Sequence, residues 1–190
     1  MKISTLGYAV LGLLAGGEMS GYDLKLRMAE PVGYFWEASH SQIYPELAKL
    51  EGAGMVFHEV VPQSGKPDRK VYGITASGLE AVGEWVTGPL RASPTRHETT
   101  LRAYLSWLGG EREMAGVFEG QARLHRERLA GYRRTERWIL ANCGGDPLTM
   151  EGRDFAGYAA LRRGIGFERE FSEWCQWVSD TLGARAGARE

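Results

Sequence analysis

The sequence predicts a mainly α-helical protein in two parts: an N-terminal half of short helices closed by one small β-hairpin, and a C-terminal half of long helices. Three observations predict it. Residues Ser39 to Ile74 read as a capped short helix, a Gly turn, and two alternating strands around a polar tip. Residues Glu111 to Asn142 carry apolar side chains at helical spacing without a break. Between these patterns lies Thr87-Gly-Pro-Leu-Arg-Ala-Ser-Pro-Thr95, whose two prolines and one glycine mark a boundary. The expected domains are 1–88 and 95–182, with a frayed tail at 183–190 that has no apolar residue larger than Ala.

In chain order, Leu6, Val10, Leu13 and Leu14 form the apolar stripe of a first helix that stops at Gly16-Gly17. Ser20-Gly-Tyr-Asp23 is a capping box, because the Asp carboxylate can reach back to the Ser backbone N–H. The second helix it opens buries Leu24 and Met28, leaves Lys25 and Arg27 near solvent, and ends at Pro31 and Gly33. Ser39 with Gln42 is a further capping box, so a third helix begins at His40. Its Ile43, Leu47 and Leu50 face inward, leaving His40, Ser41, Gln42, Glu46 and Lys49 on the other side. Pro45 lacks the N–H that would bond the Ser41 carbonyl, a loss of up to about 3 kcal/mol in a helix interior and less in a first turn. Ser39 and Ser41 both remain possible caps. After Gly52 and Gly54, Val56–Val61 and Lys70–Ile74 alternate as two half-buried strands around Pro62–Arg69. Thr75 caps a fourth helix whose Leu79, Val82 and Val86 are expected to pack back on the first three. Helix, hairpin and basic tip together read as a winged helix-turn-helix.

Charge both opposes and supports a nucleic-acid role. The 190 residues carry a formal net charge of -1. Up to Gly88 there are 7 basic and 10 acidic residues, so that half is not basic on average. Yet Lys66, Arg69 and Lys70 fall within five residues at the hairpin tip. They suit phosphates or a minor groove, against the plainer reading of a solvated tip. Gln42 is the candidate for a bidentate contact to adenine, with His40 and Ser41 beside it, unless it is occupied in its own capping box. Tyr44 either reaches a phosphate or packs under the wing. Lys49 lies on the same helix and joins this DNA-binding set, although it also reads as an ordinary solvated lysine.

The C-terminal half is helical by pattern. Leu101, Tyr104, Leu105 and Leu108 make a short helix ending at Gly109-Gly110. The long run from Glu111 places Phe118, His125 and Leu129 on one stripe and spans roughly 48 Å at 1.5 Å per residue. After Cys143-Gly-Gly-Asp-Pro147 a comparable run begins at Thr149. Its Leu161, Ile165 and Val178, with Phe167, Phe171 and Trp174 alongside, present more apolar surface than one neighbour covers, so these six are the expected dimerisation residues. Close helix approach would account for Gly164 and Gly166, which cost roughly 1 kcal/mol each in a helix interior.

Enzymatic, metal and membrane chemistry find little support. His40, His58, His97 and His125 are scattered away from Cys143 and Cys175, and His125 reads as a hydrogen-bonded core histidine. No nucleophile elbow, P-loop or dinucleotide fingerprint occurs. No apolar run approaches the roughly 20 residues that cross a bilayer. A non-enzymatic, cofactor-free protein of the reducing cytoplasm is expected.

Residues 4 to 87 resemble the N-terminal domain of the PadR family of transcriptional regulators. The resemblance rests on Leu11-Gly-Leu-Leu14, Met19-Ser-Gly-Tyr-Asp-Leu24, Gln42-Ile-Tyr-Pro-Glu-Leu47, Leu50-Glu-Gly-Ala-Gly54, Gly65-Lys-Pro-Asp-Arg-Lys-Val-Tyr72 and Ile74-Thr-Ala-Ser-Gly78. It implies a dimeric, signal-responsive repressor or activator that binds double-stranded DNA, and a C-terminal half like that of the longer-tailed branch, whose helical extension dimerises. Trp107, Trp138, Trp174 and Trp177, among arginines such as Arg126 and Arg162, would also suit a flat anionic or phenolic effector, although aromatics at helical spacing are usually core. The rival reading is a winged helix used only for protein contacts and assembly.

Overall fold

Helix α1 (Thr5–Leu14) starts where Ser4 accepts the Gly7 N–H at 2.9 Å, an N-cap the periodicity alone did not reveal. It buries Val10, Leu11 and Leu14 against α3 (His40–Gly52), α4 (Ala76–Thr87) and α2 (Gly21–Ala29). This computed structural model describes residues 2–29, 40–63, 65, 68–90 and 97–188. The chain divides into two compact units, Met1–Ala92 and Ser93–Glu190. Pro31, Gly33, Ser39 and Lys66 lie outside the described residues, as do the side chains of His40 and Ser41.

In the first unit, Leu24, Met28, Ile43, Leu47 and Leu50 meet the α1 stripe in a single aliphatic core. Each such side chain contributes about 1.5–3 kcal/mol when fully buried. Helix α3 starts at His40, so Ser41 is inside the helix and is not its cap; Pro45 is carried on the exposed side. Glu46 departs from its expected place among exposed residues. It is only 7% exposed, because the Ser4 hydroxyl, 42 residues away, donates to its Oε1 at 2.5 Å and Lys49 Nζ lies 3.5 Å from its Oε2.

The sheet has an unexpected member. Strand β1 (Met19–Ser20) pairs antiparallel with β3 (Arg69–Ile74), which also pairs with β2 (Val56–Val61), giving the order β1-β3-β2. Met19 faces Tyr72 and Ser20 faces Val71, while β2 runs from Val56 opposite Ile74 to Val61 opposite Arg69. Among the described residues of the hairpin only the root is buried, at Val56, Tyr72 and Gly73; Val60 and Val61 stand in solvent.

Thr75 caps α4 as expected, accepting the Gly78 N–H at 3.1 Å. Leu79 and Val86, expected in the core, are exposed. Helix α4 does keep Val82 against the core, as expected, with Gly78 buried and the ring of the exposed Trp85 stacked on Tyr8 at 4.5 Å. A Cβ at Gly78 would sit 2.3 Å from the Met55 carbonyl oxygen, so this close approach requires glycine.

The second unit is built on α6 (Glu111–Asn142) and α7 (Gly152–Gly187). Three cross-helix pairs make them antiparallel: Arg185 Nε to Glu111 Oε1 at 3.0 Å, His125 Nδ1 to Glu168 Oε2 at 2.5 Å, and Arg162 Nη1 to Glu136 Oε1 at 2.9 Å. The short helix expected over 101–108 is divided into α5 (Glu98–Tyr104) and a 3-10 turn at Ser106–Leu108, and neither buries a residue. Helix α7 continues past Gly183, where fraying was expected, because Leu182 is buried and Arg185 is tied to Glu111. A Cβ at Gly166 would meet nothing within 4 Å, so close helix approach does not explain that glycine. Cys175 is buried, and burial pushes its thiol up to about 11. Among the described residues no helix is long and apolar enough to cross a membrane.

Candidate nucleic-acid interface

Helix α3 is anchored by Ile43, Leu47 and Leu50, all buried, which turns Gln42, Tyr44 and Lys49 outward. Tyr44 packs against its own fold and still reaches solvent. Its ring lies on the start of α2, where a Cβ at Gly21 would sit 2.5 Å from a ring carbon, yet the side chain is about half exposed. Here too glycine permits the approach. The base of the hairpin is held to α3 by His58 on β2, whose Nδ1 pairs with Glu51 Oε1. Tyr72 on β3 is buried beneath, and burial, reinforced by Glu51 and Tyr44, pushes its phenol up.

Between α2, α3 and the hairpin lies a cleft of about 580 Å³, lined by Ser20, Asp23, Tyr44, Gln63, Arg69, Lys70 and others. The structure thus brings Tyr44, Arg69 and Lys70 to one opening. Lys49, with a side chain 65% exposed, lies outside that lining. The expected Asp23 capping box is present: Asp23 Oδ2 accepts the Ser20 N–H at 3.1 Å, and Ser20 Oγ accepts the Asp23 N–H at 3.2 Å. Sequence reasoning missed that the same carboxylate also pairs with Arg69, 46 residues away. The Ser20 hydroxyl above all, then the Ser20 N–H and Arg69, hold the Asp23 carboxyl below the usual range against a contrary effect of burial.

The sequence-predicted dimerisation residues fall in the other unit. Leu161, Ile165, Phe171 and Val178 are buried there, and Phe167 and Trp174 are half-buried. Phe171, Val178, Phe167 and Trp174 pack with Phe118 and Ala122 of α6, so these side chains already have neighbours in their own chain. His125 is a buried core histidine, as expected, its ring 4.6 Å from that of Phe171. A separate opening of about 440 Å³ is walled by Trp107, Trp174, Trp177 and Leu182, with Arg185 at its edge. Among the described residues no group of three or more His, Cys, Asp or Glu is placed to hold a metal ion.

Residues 10–84 match the PadR-like family of transcriptional regulators, and residues 95–183 match the virulence activator alpha C-terminal family. The negative transcriptional regulator PadR of Bacillus subtilis is 31% identical over 177 residues, covering 91% of this chain and 94% of that one. The chain belongs to the PadR-like family of transcriptional regulators. Its fold agrees over nearly its whole length. The crystal structure of B. subtilis PadR in complex with operator DNA superposes with a TM-score of 0.80 at 28% identity, covering 94% of this chain and 99% of that one. PadR in complex with p-coumaric acid gives 0.75 at 29% identity, covering 95% and 99%. The Vibrio cholerae virulence activator AphA gives 0.73 at 25% identity, covering 96% and 100%. The winged helix-turn-helix and the helical C-terminal half thus occur together in this PadR-like regulator and in its relatives.

Proposed function

We propose that this chain is a sequence-specific DNA-binding repressor that reads an inverted-repeat operator as a cytoplasmic homodimer, without enzymatic activity or cofactor. The observation that carries the reading is the seating of α3, which buries one side and presents the other beside the hairpin. A helix carried this way puts its N-terminal side chains against base edges. Gln42 is assigned the bidentate adenine contact, with His40 and Ser41 beside it. Tyr44, Lys49, Lys66, Arg69 and Lys70 are assigned to the phosphate backbone. The operator complex of B. subtilis PadR supports the same use of the fold.

The helical unit is assigned the dimer. Its buried aromatic seam joins α6 to α7, while Leu101, Tyr104 and Leu108 are exposed apolar side chains for a second copy to cover. A two-fold axis would then set half-sites about one helical turn, or a multiple, apart. The tryptophan-walled opening is assigned a small aromatic ligand, which stacks on the indoles beside the Arg185–Glu111 pair; the p-coumaric acid complex of PadR supports an aromatic occupant. By linkage such an effector binds free dimer and DNA complex with different affinities.

A mobility shift with DNA upstream of the chain's own gene tests the core of this reading. A discrete, competitor-resistant complex is expected, and Gln42→Ala should relax base preference at one position per half-site by roughly 1–3 kcal/mol. Binding no tighter than to random duplex would overturn sequence-specific recognition. Saturable quenching of tryptophan fluorescence by hydroxycinnamic or benzoic acids, changed by operator, tests the effector; no saturable quenching removes it.

A further inference from the structure

Arg69 belongs to the basic tip, yet in the free protein it is paired with the carboxylate of Asp23. That carboxylate is well supplied without it. Asp23 Oδ2 also accepts the Ser20 N–H at 3.1 Å and the Ser20 hydroxyl at 2.8 Å. If Arg69 left, the Ser20 N–H and hydroxyl would remain as donors to a carboxylate open to water, so its release is inexpensive. Both partners are within reach of solvent, at 38% for Asp23 and 44% for Arg69. They line the cleft between α2 and the hairpin, with Lys70 and Tyr44 beside them. The capping role of position 23 needs only a hydrogen-bond acceptor, which Asn supplies as well as Asp. The pairing with Arg69 needs the charge.

We propose that Asp23 is an internal stand-in for a DNA phosphate, holding Arg69 in the free protein and yielding it to a backbone phosphate when the operator is seated at this cleft. The proposal rests on the DNA-binding reading and assigns a regulatory role within it. A phosphate takes the guanidinium only if it comes close enough to outcompete a carboxylate already in contact, because both offer it charged acceptor oxygens. DNA held loosely, in the wrong register, does not bring one that close, so Arg69 stays on Asp23 and adds nothing to non-specific binding. The fixed negative charge of Asp23 also opposes any phosphate that approaches without displacing it. Asp23 thereby raises the ratio of operator to random-DNA affinity while touching no base.

The test measures binding of the full-length protein by fluorescence anisotropy between about 50 and 200 mM salt, where each phosphate contact adds about one unit of log–log slope. One duplex is the sequence that the wild-type chain selects from random DNA, and the other is a scrambled copy. Asp23→Asn should steepen the slope on scrambled DNA by about one unit, an additional loss of about fourfold in affinity across that range, and narrow the operator-to-scrambled ratio. Arg69→Gln should make the slope on the selected operator shallower by about one unit and leave the scrambled slope unchanged. The double variant should follow Arg69→Gln on both duplexes. Asp23→Asn with wild-type slopes overturns the proposal. So does parallel weakening on both duplexes with a lowered Tm, which would make the pair a structural tie only. A wild-type chain that selects no sequence from the pool and shows no salt-dependent binding removes the DNA-binding reading itself, and the proposal with it.

Discussion

The two units fill their interiors with different material. The N-terminal unit gathers aliphatic side chains from α1, α2 and α3 around one centre, with Val56 and Tyr72 of the sheet closing it. The helical unit buries aromatic rings and a histidine–glutamate pair along the seam of two helices. Four packed elements can surround a core, but two helices cover only one stripe of each other. The rest of their apolar surface stays outside, with Trp138 of α6 62% and Trp177 of α7 63% exposed. The lesson is that the first unit closes a core around one centre, although Leu79 and Val86 stay outside it, whereas the second closes only a seam.

The largest expected effect breaks the polar part of the helical seam. Replacing Glu168 by Ala leaves the buried His125 ring nitrogen without its hydrogen-bond partner and should cost about 3 kcal/mol through the unmet bond and the cavity left, read as a shift in urea midpoint at fixed protein concentration. Replacing both by apolar residues of similar volume should recover most of that loss. If the single variant costs less than about 1 kcal/mol, the pair does not hold the seam and the contrast between the two interiors weakens.

A smaller effect sharpens the distinction between filled and unfilled surface. Changing Leu101, Tyr104 and Leu108 together to Ser should weaken self-association by about 2 kcal/mol or more, roughly thirtyfold, in sedimentation equilibrium. Helix content and the stability of the isolated protomer should move within about 0.5 kcal/mol, because α5 buries none of its own residues. Loss of protomer stability without any change in association would place the seam elsewhere.

Next, Ser4→Ala should cost the N-terminal unit about 1 kcal/mol through the lost cap, and more if Glu46 is left without the hydroxyl. A neutral result in thermal melts would mean that water replaces Ser4 at both ends. The smallest effect is a pH dependence. The folded Asp23 carboxyl is held below its usual range, so its contribution to stability is complete above the ordinary aspartate value of about 3.9 and is lost as pH falls through the folded value. Between pH 5 and 8, Asp23→Asn should therefore leave the shape of the stability–pH curve unchanged and alter it only at lower pH.

How far these interiors were legible depends on the range of the contacts that build them. Helix α6 was readable end to end, from Glu111 to Asn142, because glycine pairs flank an uninterrupted stripe. The hairpin was readable because its strands alternate and its tip is full of breakers. Strand β1 was not, since two residues carry no period and Met19-Ser20 becomes a strand only because Tyr72 and Val71 lie opposite. Glu46 read as a surface residue because the group that satisfies it, Ser4, lies beyond any local window. For α4 the spacing found Val82, which meets the core, but not that Leu79 and Val86 stay exposed while Trp85 stacks on Tyr8 and Gly78 fits against the Met55 carbonyl, contacts made by distant residues. At the DNA face, the basic tip and the Ser20–Asp23 box were each visible, but their meeting through Arg69 is a tertiary fact.

The three cross-helix pairs of the helical unit act together as a ruler. Glu111 with Arg185, His125 with Glu168, and Glu136 with Arg162 mark three heights along the same antiparallel seam. Sliding one helix past the other by a turn, about 5.4 Å, would mismatch all three at once. A residue inserted into α6 between two of these marks must therefore be answered by one in α7, whereas the connection at 143–151 can lengthen without disturbing any of them. Length variation among the descendants of this chain is expected to collect at that connection, and paired insertions and deletions to be the rule within the helices.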